Sequence, residues 1–313
     1  MTSFKKNKYQ DILSSNYNEI FQYYQKGIYP SAERLVVIGD IHGDYSSFIN
    51  VLKKAKIVNE NLDYIGGKTH VVQVGDILDR KPREMDVEDE DSEALILAKI
   101  LELQIDSYRA GGGFHPVIGN HELMNVMGHF DYVSPLGMKH YGGASGRRLY
   151  FKPGSPISNY FACGWNPVVK IGSWLFVHGG VPKKISQKYT IEDINLIMRD
   201  YLYGNTQHQY KKYFQELFLN SNSLLWNRDF STEHHQNTYS KLNDDLNHVL
   251  RNYKVKRICT GHTPQMGGIK HRFHGKVFNV DTGMSSAFGK KKNVMERIHF
   301  MEVLHDSQKI RIY

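Results

Sequence analysis

Val36-Val37-Ile38-Gly39-Asp40-Ile41-His42-Gly43-Asp44 is the stretch on which the reading of the fold turns. An uninterrupted apolar run that halts at a glycine predicts a buried strand, and its carboxyl end is where open α/β sheets bind ligands. This one delivers a carboxylate and an imidazole two residues apart, both ligand types for a borderline-hard metal ion. A single Asp-x-His is an ordinary strand-end turn in many chains, so the weight falls on recurrence. His70-Val71-Val72-Gln73-Val74 runs into Gly75-Asp76, and His115-Pro116-Val117-Ile118 runs into Gly119-Asn120. Two further short strands, expected at 174–177 and 257–260, end in His178-Gly179-Gly180 and Gly261-His262-Thr263. Parallel strands ending this way would bring their ligand-type residues to one edge.

Between these strands the periodicity becomes helical. Phe48, Val51, Leu52 and Ala55 share one face with Lys53, Lys54 and Lys56 opposite, and 94–110 carries Leu95, Ala98, Leu101, Leu103 and Ile105 before Gly111-Gly112-Gly113 stops it. The run containing Glu84, Asp86, Glu88, Asp89, Glu90 and Asp91 reads as a solvated loop that also suits the positive end of the next helix. Thr190 and Asp193 have capping-box spacing at the head of another helix, 210–219 is helical, and strands are expected near 277–280, 298–303 and 309–313. Residues 1–33, with Tyr9, Ile12, Leu13, Tyr17, Ile20, Phe21 and Tyr24 at spacings of three and four, form a helical lead-in. From 128 to 170 regular periodicity gives way to Gly142-Gly143, Gly146, Pro153-Gly154 and Pro156, which predicts a loop-rich insertion of functional character. Arg147 and Arg148 within it either meet an anion or are solvated. Cutting the chain between Asp40 and His262 would split the ligand set, so 34–313 is expected to be one α/β catalytic domain.

The chain has 313 residues, 40 Lys plus Arg against 32 Asp plus Glu, and a net charge of +8. This favours anionic partners in a diffuse way, and a basic surface alone accounts for it. No run of 18 apolar residues and no signal-peptide core is found, so no membrane partner is expected and an intracellular, cytoplasmic setting follows. Two cysteines, Cys163 and Cys259, are too few for a disulfide framework. Neither has the arginine of a cysteine-phosphatase loop six residues on, where Gln265 and Val169 stand. Gly66-Gly67-Lys68-Thr69 invites a phosphate-loop reading, but Leu62 holds the place of the first glycine and the run precedes a strand. His271 and His274 read as decoration of a surface turn.

Asp40, His42, Asp76, Asn120, His178 and His262 are six ligand-type groups, more than one tetrahedral ion requires. Two divalent ions bridged by a carboxylate fit the count, and nitrogen plus oxygen without thiolate suits manganese, iron or zinc.

Together Gly39-Asp40-Ile41-His42-Gly43, Gly75-Asp76-Ile77-Leu78-Asp79-Arg80, Gly119-Asn120-His121-Glu122, His178-Gly179-Gly180 and Gly261-His262 resemble the five motifs of the calcineurin-like metallophosphoesterases. Asp79-Arg80 and His121-Glu122 resemble the phosphoprotein phosphatase branch. Asn120-His121-Glu122-Leu123-Met124-Asn125 and Asp281-Thr282-Gly283-Met284-Ser285 are similar to the Shewanella-like phosphatases. The resemblance spans about 34–290. It implies a central β-sandwich flanked by helices, with the metal site at strand carboxyl ends. It assigns Asp40, His42 and Asp76 to one metal, makes Asp76 the bridge, and gives Asn120, His178 and His262 to the second, manganese being favoured over iron or zinc. It implies a metal-activated hydroxide attacking a phosphomonoester, with His121 as general acid oriented by Asp79, and with Arg80, Arg228 and Asn120 binding the phosphoryl group. The substrate expected is phosphoserine, phosphothreonine or phosphotyrosine of a protein, or a small phosphoester. An ApaH-like hydrolase of dinucleoside polyphosphates or capped RNA is the alternative, and only there would nucleic acid be a partner. A catalytically idle phosphate-binding protein is a third reading, disfavoured by the complete ligand set.

The pattern departs from the branch at Lys81, where Gly usually follows Asp-Arg. A side chain there would alter the loop or add a cation beside the phosphate. The C-terminal Ser-Ala-Pro-Asn-Tyr type of loop found in eukaryotic serine/threonine phosphatases is missing, so no regulatory-subunit behaviour carries over.

Overall fold

The computed structural model describes residues 18–82, 89–205, 208–289 and 295–313. Tyr9, Ile12, Leu13 and Tyr17 of the expected lead-in, and Glu84, Asp86 and Glu88 of the acidic run, lie outside the described residues. Ile20, Phe21 and Tyr24 are the buried face of a helix, α1 (Asn18–Gln25).

Two sheets face each other. One holds five strands in the order β11-β10-β2-β3-β4: β2 (Arg34–Ile38), β3 (His70–Gln73), β4 (Gly113–Pro116), β10 (Phe300–Leu304) and β11 (Lys309–Ile312). The other holds six in the order β1-β5-β6-β7-β9-β8: β1 (Ile28–Tyr29), β5 (Val168–Ile171), β6 (Trp174–Val177), β7 (Arg257–Thr260), β8 (Lys270–Arg272) and β9 (Val277–Asn279). Pairing is parallel from β2 through β3 to β4, and again from β6 through β7 to β9. The expected strands are therefore present in these sheets. Not anticipated were β1, β5 and β8, of two, four and three residues.

The apolar runs are unbroken because both faces of each strand are buried. Leu35 and Val37 of β2, Val72 of β3, Trp174 and Phe176 of β6, Cys259 of β7 and Phe278 of β9 meet in one cluster between the sheets. Val36, Ile38, Val71, Leu175, Val177, Ile258 and Val277 point the other way into a second cluster beneath the helices. Period-two alternation thus divides one apolar run between two cores. The helices covering the five-stranded sheet include α2 (Tyr45–Lys54), started by Asp44, whose carboxylate accepts from Ser47 N at 2.8 Å, and α3 (Glu93–Arg109).

The stretch 128–170, expected to be loop-rich, instead carries three short helices: α5 (Pro135–His140), α6 (Gly143–Phe151) and α7 (Pro156–Gly164), after α4 (Asn120–Met127). Its glycines and prolines are helix boundaries. Ser134 caps α5 ahead of Pro135, Gly142 sits at φ 81°, and Pro156 opens α7. Nine residues or fewer per helix give too little repeat for periodicity to show. Beyond β6 lie α8 (Lys183–Lys188), α9 (Ile191–Leu202), α10 (His208–Phe214) and α11 (Gln236–Asn252). Thr190 and Asp193 form the expected reciprocal cap of α9.

At the end of the five-stranded sheet opposite the ligand loops, His70 Nδ1 and His115 Nε2 are 3.0 Å apart, with the rings stacked at 10°. Tyr29 closes over His115 at 4.4 Å between ring centres. Burial holds His70 down at about 4, and burial followed by the charge of His70 holds His115 well below the usual imidazole range. Both rings are neutral in the fold, so the unfolded chain binds more protons below its own histidine pKa near 6.5. Their stabilisation is complete above about pH 6.5 and is lost as pH falls toward 4, by about 3 kcal/mol for His70 alone. Thermal melts from pH 7 to pH 5 should therefore show a steeper loss for the natural chain than for His70→Gln. Parallel curves would remove the pair as the source.

Candidate metal centre

The loops that leave β2, β3 and β4 in one sheet and β6 and β7 in the other meet at a common edge. They bring Asp40, His42, Asp76, Asn120, His178 and His262 together, all six buried. Asp76 is at the centre. Its Oδ2 lies 3.1 Å from His178 Nε2, 3.9 Å from His42 Nε2 and 3.8 Å from His121 Nε2. His178 Nε2 is also 2.9 Å from Asn120 Oδ1. Ligand-type atoms fall into two compact groups that share Asp76, one with His42 and His121, the other with His178 and His262. Asp40 joins through its Oδ2, which accepts from His262 N at 2.9 Å.

The glycines before Asp76, Asn120 and His262 have a steric cause. A Cβ on Gly119 would stand 2.3 Å from Asp76 Oδ1, and one on Gly261 would stand 2.2 Å from Asp40 Oδ1. Gly75 combines φ 99° with backbone contact against Gly119. His42, Asp76, Asp79 and His262 themselves adopt positive φ, at 43°, 53°, 71° and 67°. Left-handed conformations at non-glycine residues are uncommon and cluster where function over-determines them.

Ring nitrogens facing away from the centre are tied to backbone: His42 Nδ1 to Leu78 O at 3.2 Å and His178 Nδ1 to Val74 O at 2.8 Å. That leaves each Nε2 lone pair for the centre, the usual support of a metal-ligating histidine. Among the described residues Asp40 Oδ1 and His262 Nε2 are buried and find no hydrogen-bond partner. Burial, followed by the charges of Asp281 and Asp76, pushes the Asp40 carboxyl well above its usual range. Burial alone would raise Asp76 too, but His178, His121 and His42 hold it well below. Burial and the neighbouring His178 push His262 down to about 2, so it offers a neutral nitrogen lone pair. Buried lone-pair atoms of Asp and His, without thiolate, fit divalent cations of the manganese, iron and zinc kind.

Behind this tier sits Glu122. Its carboxylate accepts from four backbone amides, Asp76 N at 2.9 Å, Ile77 N at 2.8 Å, Leu78 N at 3.0 Å and Gly119 N at 2.9 Å. It joins the β3 loop to the head of α4. In the sequence it stood out only as part of a motif, because a four-amide contact leaves no trace in spacing.

His121 Nδ1 is 2.7 Å from Asp79 Oδ2, and the ring lies on the wall of an open cavity of about 190 Å3. His42, Asp76, Asn120 and His262 line its floor, with Tyr132, Trp226, Arg228, Pro264 and Phe288 around them. Three aromatic rings stand against site histidines: Tyr132 on His121 at 5.0 Å, Phe288 on His42 at 5.2 Å and Trp226 on His262 at 5.8 Å. Composition could not locate this wall. Arg228 is exposed on it and is held by His262 O at 2.9 Å and Thr263 Oγ1 at 2.8 Å. Arg80 is elsewhere. Its guanidinium is 1% exposed and faces Asp44 at 3.2 Å, Glu90 at 3.1 Å and Ser286 Oγ at 2.6 Å. The structure does not bring Arg80 to the cavity lining. Lys81 adds no cation there either, since its ammonium reaches back to Asp131 O at 2.8 Å.

The family model for the calcineurin-like phosphoesterases matches residues 33–266. Shewanella-like protein phosphatase 2 of Arabidopsis thaliana is 29% identical, over 87% of this chain and 75% of that protein. Shewanella-like protein phosphatase 1 of Plasmodium berghei is 29% identical, over 80% and 67% respectively. Among solved structures, the cold-active protein-tyrosine phosphatase of a psychrophilic Shewanella species superposes with a TM-score of 0.72 at 22% identity, covering 91% of this chain and 82% of that one. The two-sheet architecture is thus one that phosphatases of this kind share.

The glycine contacts generate a prediction. Gly261→Ala, by driving a methyl into Asp40 Oδ1, should weaken manganese binding about tenfold or more with the far-ultraviolet spectrum unchanged. Titration of the metal-free protein by calorimetry measures it. Undiminished affinity would mean that the close approach is incidental to the site.

Proposed function

The chain belongs to the calcineurin-like phosphoesterase family, and on that premise we propose that it hydrolyses phosphomonoesters of phosphorylated protein at a two-metal site. Asp40, His42 and Asp76 would hold one cation and Asn120, His178 and His262 the other, with Asp76 common to both. Two bound divalent ions would neutralise phosphoryl charge and lower the proton affinity of water.

What the residues contribute follows from their placement. The observation that carries the reading is the His121–Asp79 pair at 2.7 Å, with His121 on the cavity wall and its Nε2 3.8 Å from Asp76. Asp79 fixes the proton on Nδ1 and the ring in one orientation, so Nε2 is the atom that faces substrate. When the ester P–O bond breaks, the leaving oxygen takes the proton from Nε2, which is worth most when that oxygen is a strong base. Arg228, exposed at the mouth and tethered at Nη1, presents permanent charge to the phosphoryl oxygens. Arg80 acts in this reading through the loop it clasps and not as a phosphate ligand.

The aromatic wall of Tyr132, Trp226 and Phe288 favours a flat leaving group, hence phosphotyrosine ahead of phosphoserine and phosphothreonine. A solved structural neighbour named as a protein-tyrosine phosphatase agrees with this. Manganese is the metal we favour, with iron and zinc as alternatives.

Manganese-reconstituted protein should hydrolyse phosphotyrosyl peptides faster than phosphoseryl peptides, and both faster than diadenosine tetraphosphate or capped RNA. Preference for the nucleotides would replace this reading with the ApaH-like one. His121→Asn should retain its metal and lose ~100-fold in turnover of the phosphotyrosyl peptide. Undiminished turnover would take the acid role from His121.

A further inference from the structure

Behind the His121–Asp79 pair lies a buried tier to which the sequence reading assigns no catalytic role. Asp79 uses Oδ2 for His121, and its Oδ1 accepts from Asn125 Nδ2 at 2.8 Å. The same Asn125 amide nitrogen donates to His121 O at 2.9 Å, one turn back on α4. Asn125 Oδ1 in turn accepts from Arg147 Nε at 2.7 Å. Arg147, on α6, is 0% exposed, with Nη1 2.8 Å from Glu93 Oε2 and donating to Gly137 O at 3.1 Å. Its Nη2 stands 3.8 Å from Asp79 Oδ1. Glu93 closes the ring, since its Oε1 accepts from Asp79 N at 2.8 Å. Phe151 and Tyr141 pack on the guanidinium at 4.6 Å and 5.2 Å.

The direction of these bonds matters. A side-chain amide can face either way, and only its partners decide which end donates. Arg147 has donors alone, so it claims the Asn125 oxygen and turns the NH2 toward Asp79. A reversed amide would set oxygen against oxygen at Asp79 Oδ1. We infer that Asn125 and Arg147 are positioning residues for the general acid: Arg147 sets the Asn125 amide, Asn125 pins Asp79, and Asp79 aims His121. The inference rests on the acid role given to His121 above. Neither Asn125 nor Arg147 lines the cavity, and both act through the His121–Asp79 pair in front of them.

Such a role has a signature that general loosening of the fold lacks. A misaimed acid hurts substrates whose leaving oxygen needs a proton and spares those whose leaving group departs without one. Asn125→Ala should lower kcat on a phosphotyrosyl peptide about tenfold and on p-nitrophenyl phosphate by less than about threefold, with KM and manganese affinity unchanged. Asn125→Asp keeps the shape but replaces the donor with an acceptor, and should behave alike even if the alanine variant folds poorly. Arg147→Lys, which keeps the charge and loses the rigid fork, should move the same way. In nitrogen-15 histidine spectra of the metal-free protein, the His121 Nδ1–H resonance should shift in each variant. In a His121→Asn background, Asn125→Ala should cost nothing more. Equal losses on both substrates, additive losses with His121→Asn, or undiminished turnover would each overturn the inference. If His121→Asn itself leaves turnover unchanged, the acid role falls first, and the positioning role falls with it.

Discussion

The site depends on how closely backbone can approach carboxylate. Asp40 and Asp76 each lie against a glycine from another strand end, Gly261 and Gly119, so close that a Cβ there would stand 2.2 Å and 2.3 Å from a carboxylate oxygen. The first contact joins the two sheets at their shared edge, and the second joins neighbouring strand ends within one sheet. Five loops, three from one sheet and two from the other, can put six ligand-type groups in one buried place only because the corners carry no Cβ. The cores beneath supply rigidity. Strands buried on both faces leave little room for the corners to drift.

Close approach concentrates charge, and the rest of the local structure manages it. Asp40, Asp76, Glu122 and Asp281 are all 2% exposed or less. Unpaired carboxylates at that depth would shed their charge by binding protons. Different partners hold them. Glu122 is surrounded by amides and stitches the β3 loop to α4, while burial and then the charge of Asp76 push its carboxyl up to about 7. Asp76 is surrounded by imidazoles. Asp281 accepts from Gly283 N at 2.9 Å, and burial still pushes it up to about 6. Among the described residues Asp40 keeps one oxygen without a hydrogen bond.

Much of this was legible in the chain because the constraint acts on residue type. Gly39-Asp40, Gly75-Asp76, Gly119-Asn120 and Gly261-His262 record four close approaches, and the apolar run before each records a strand buried on both faces. Contacts that any of several residues could make left no such record. The helices α5, α6 and α7 are too short to show a period, so their boundary residues read as loop. Arg147 offered a choice between solvent and an anion, and the anion is the chain's own Glu93. Tyr132, Trp226 and Phe288 reach the cavity from three separate segments, which linear order cannot express.

Arg80 shows why a motif and a role must be separated. The Asp79-Arg80 dipeptide resembles one in which the arginine grips phosphate, yet here the guanidinium is buried between Asp44 and Ser286. Asp44 also caps α2 and accepts from Ser286 N at 2.7 Å, so Arg80 clasps the first ligand loop to the segment that carries Phe288. A cation compensated by Asp44 and Glu90 in a dry setting is tied to its place, because exposing it would leave those carboxylates without their partner. Among the described residues Arg228 ion-pairs with no carboxylate and is held by the His262 carbonyl and the Thr263 hydroxyl, neither of which cancels its charge. An incoming dianion is attracted by net charge, not by residue name. In the function proposed, the electrostatic pull at the mouth would fall to Arg228, and Arg80 would keep the floor in shape.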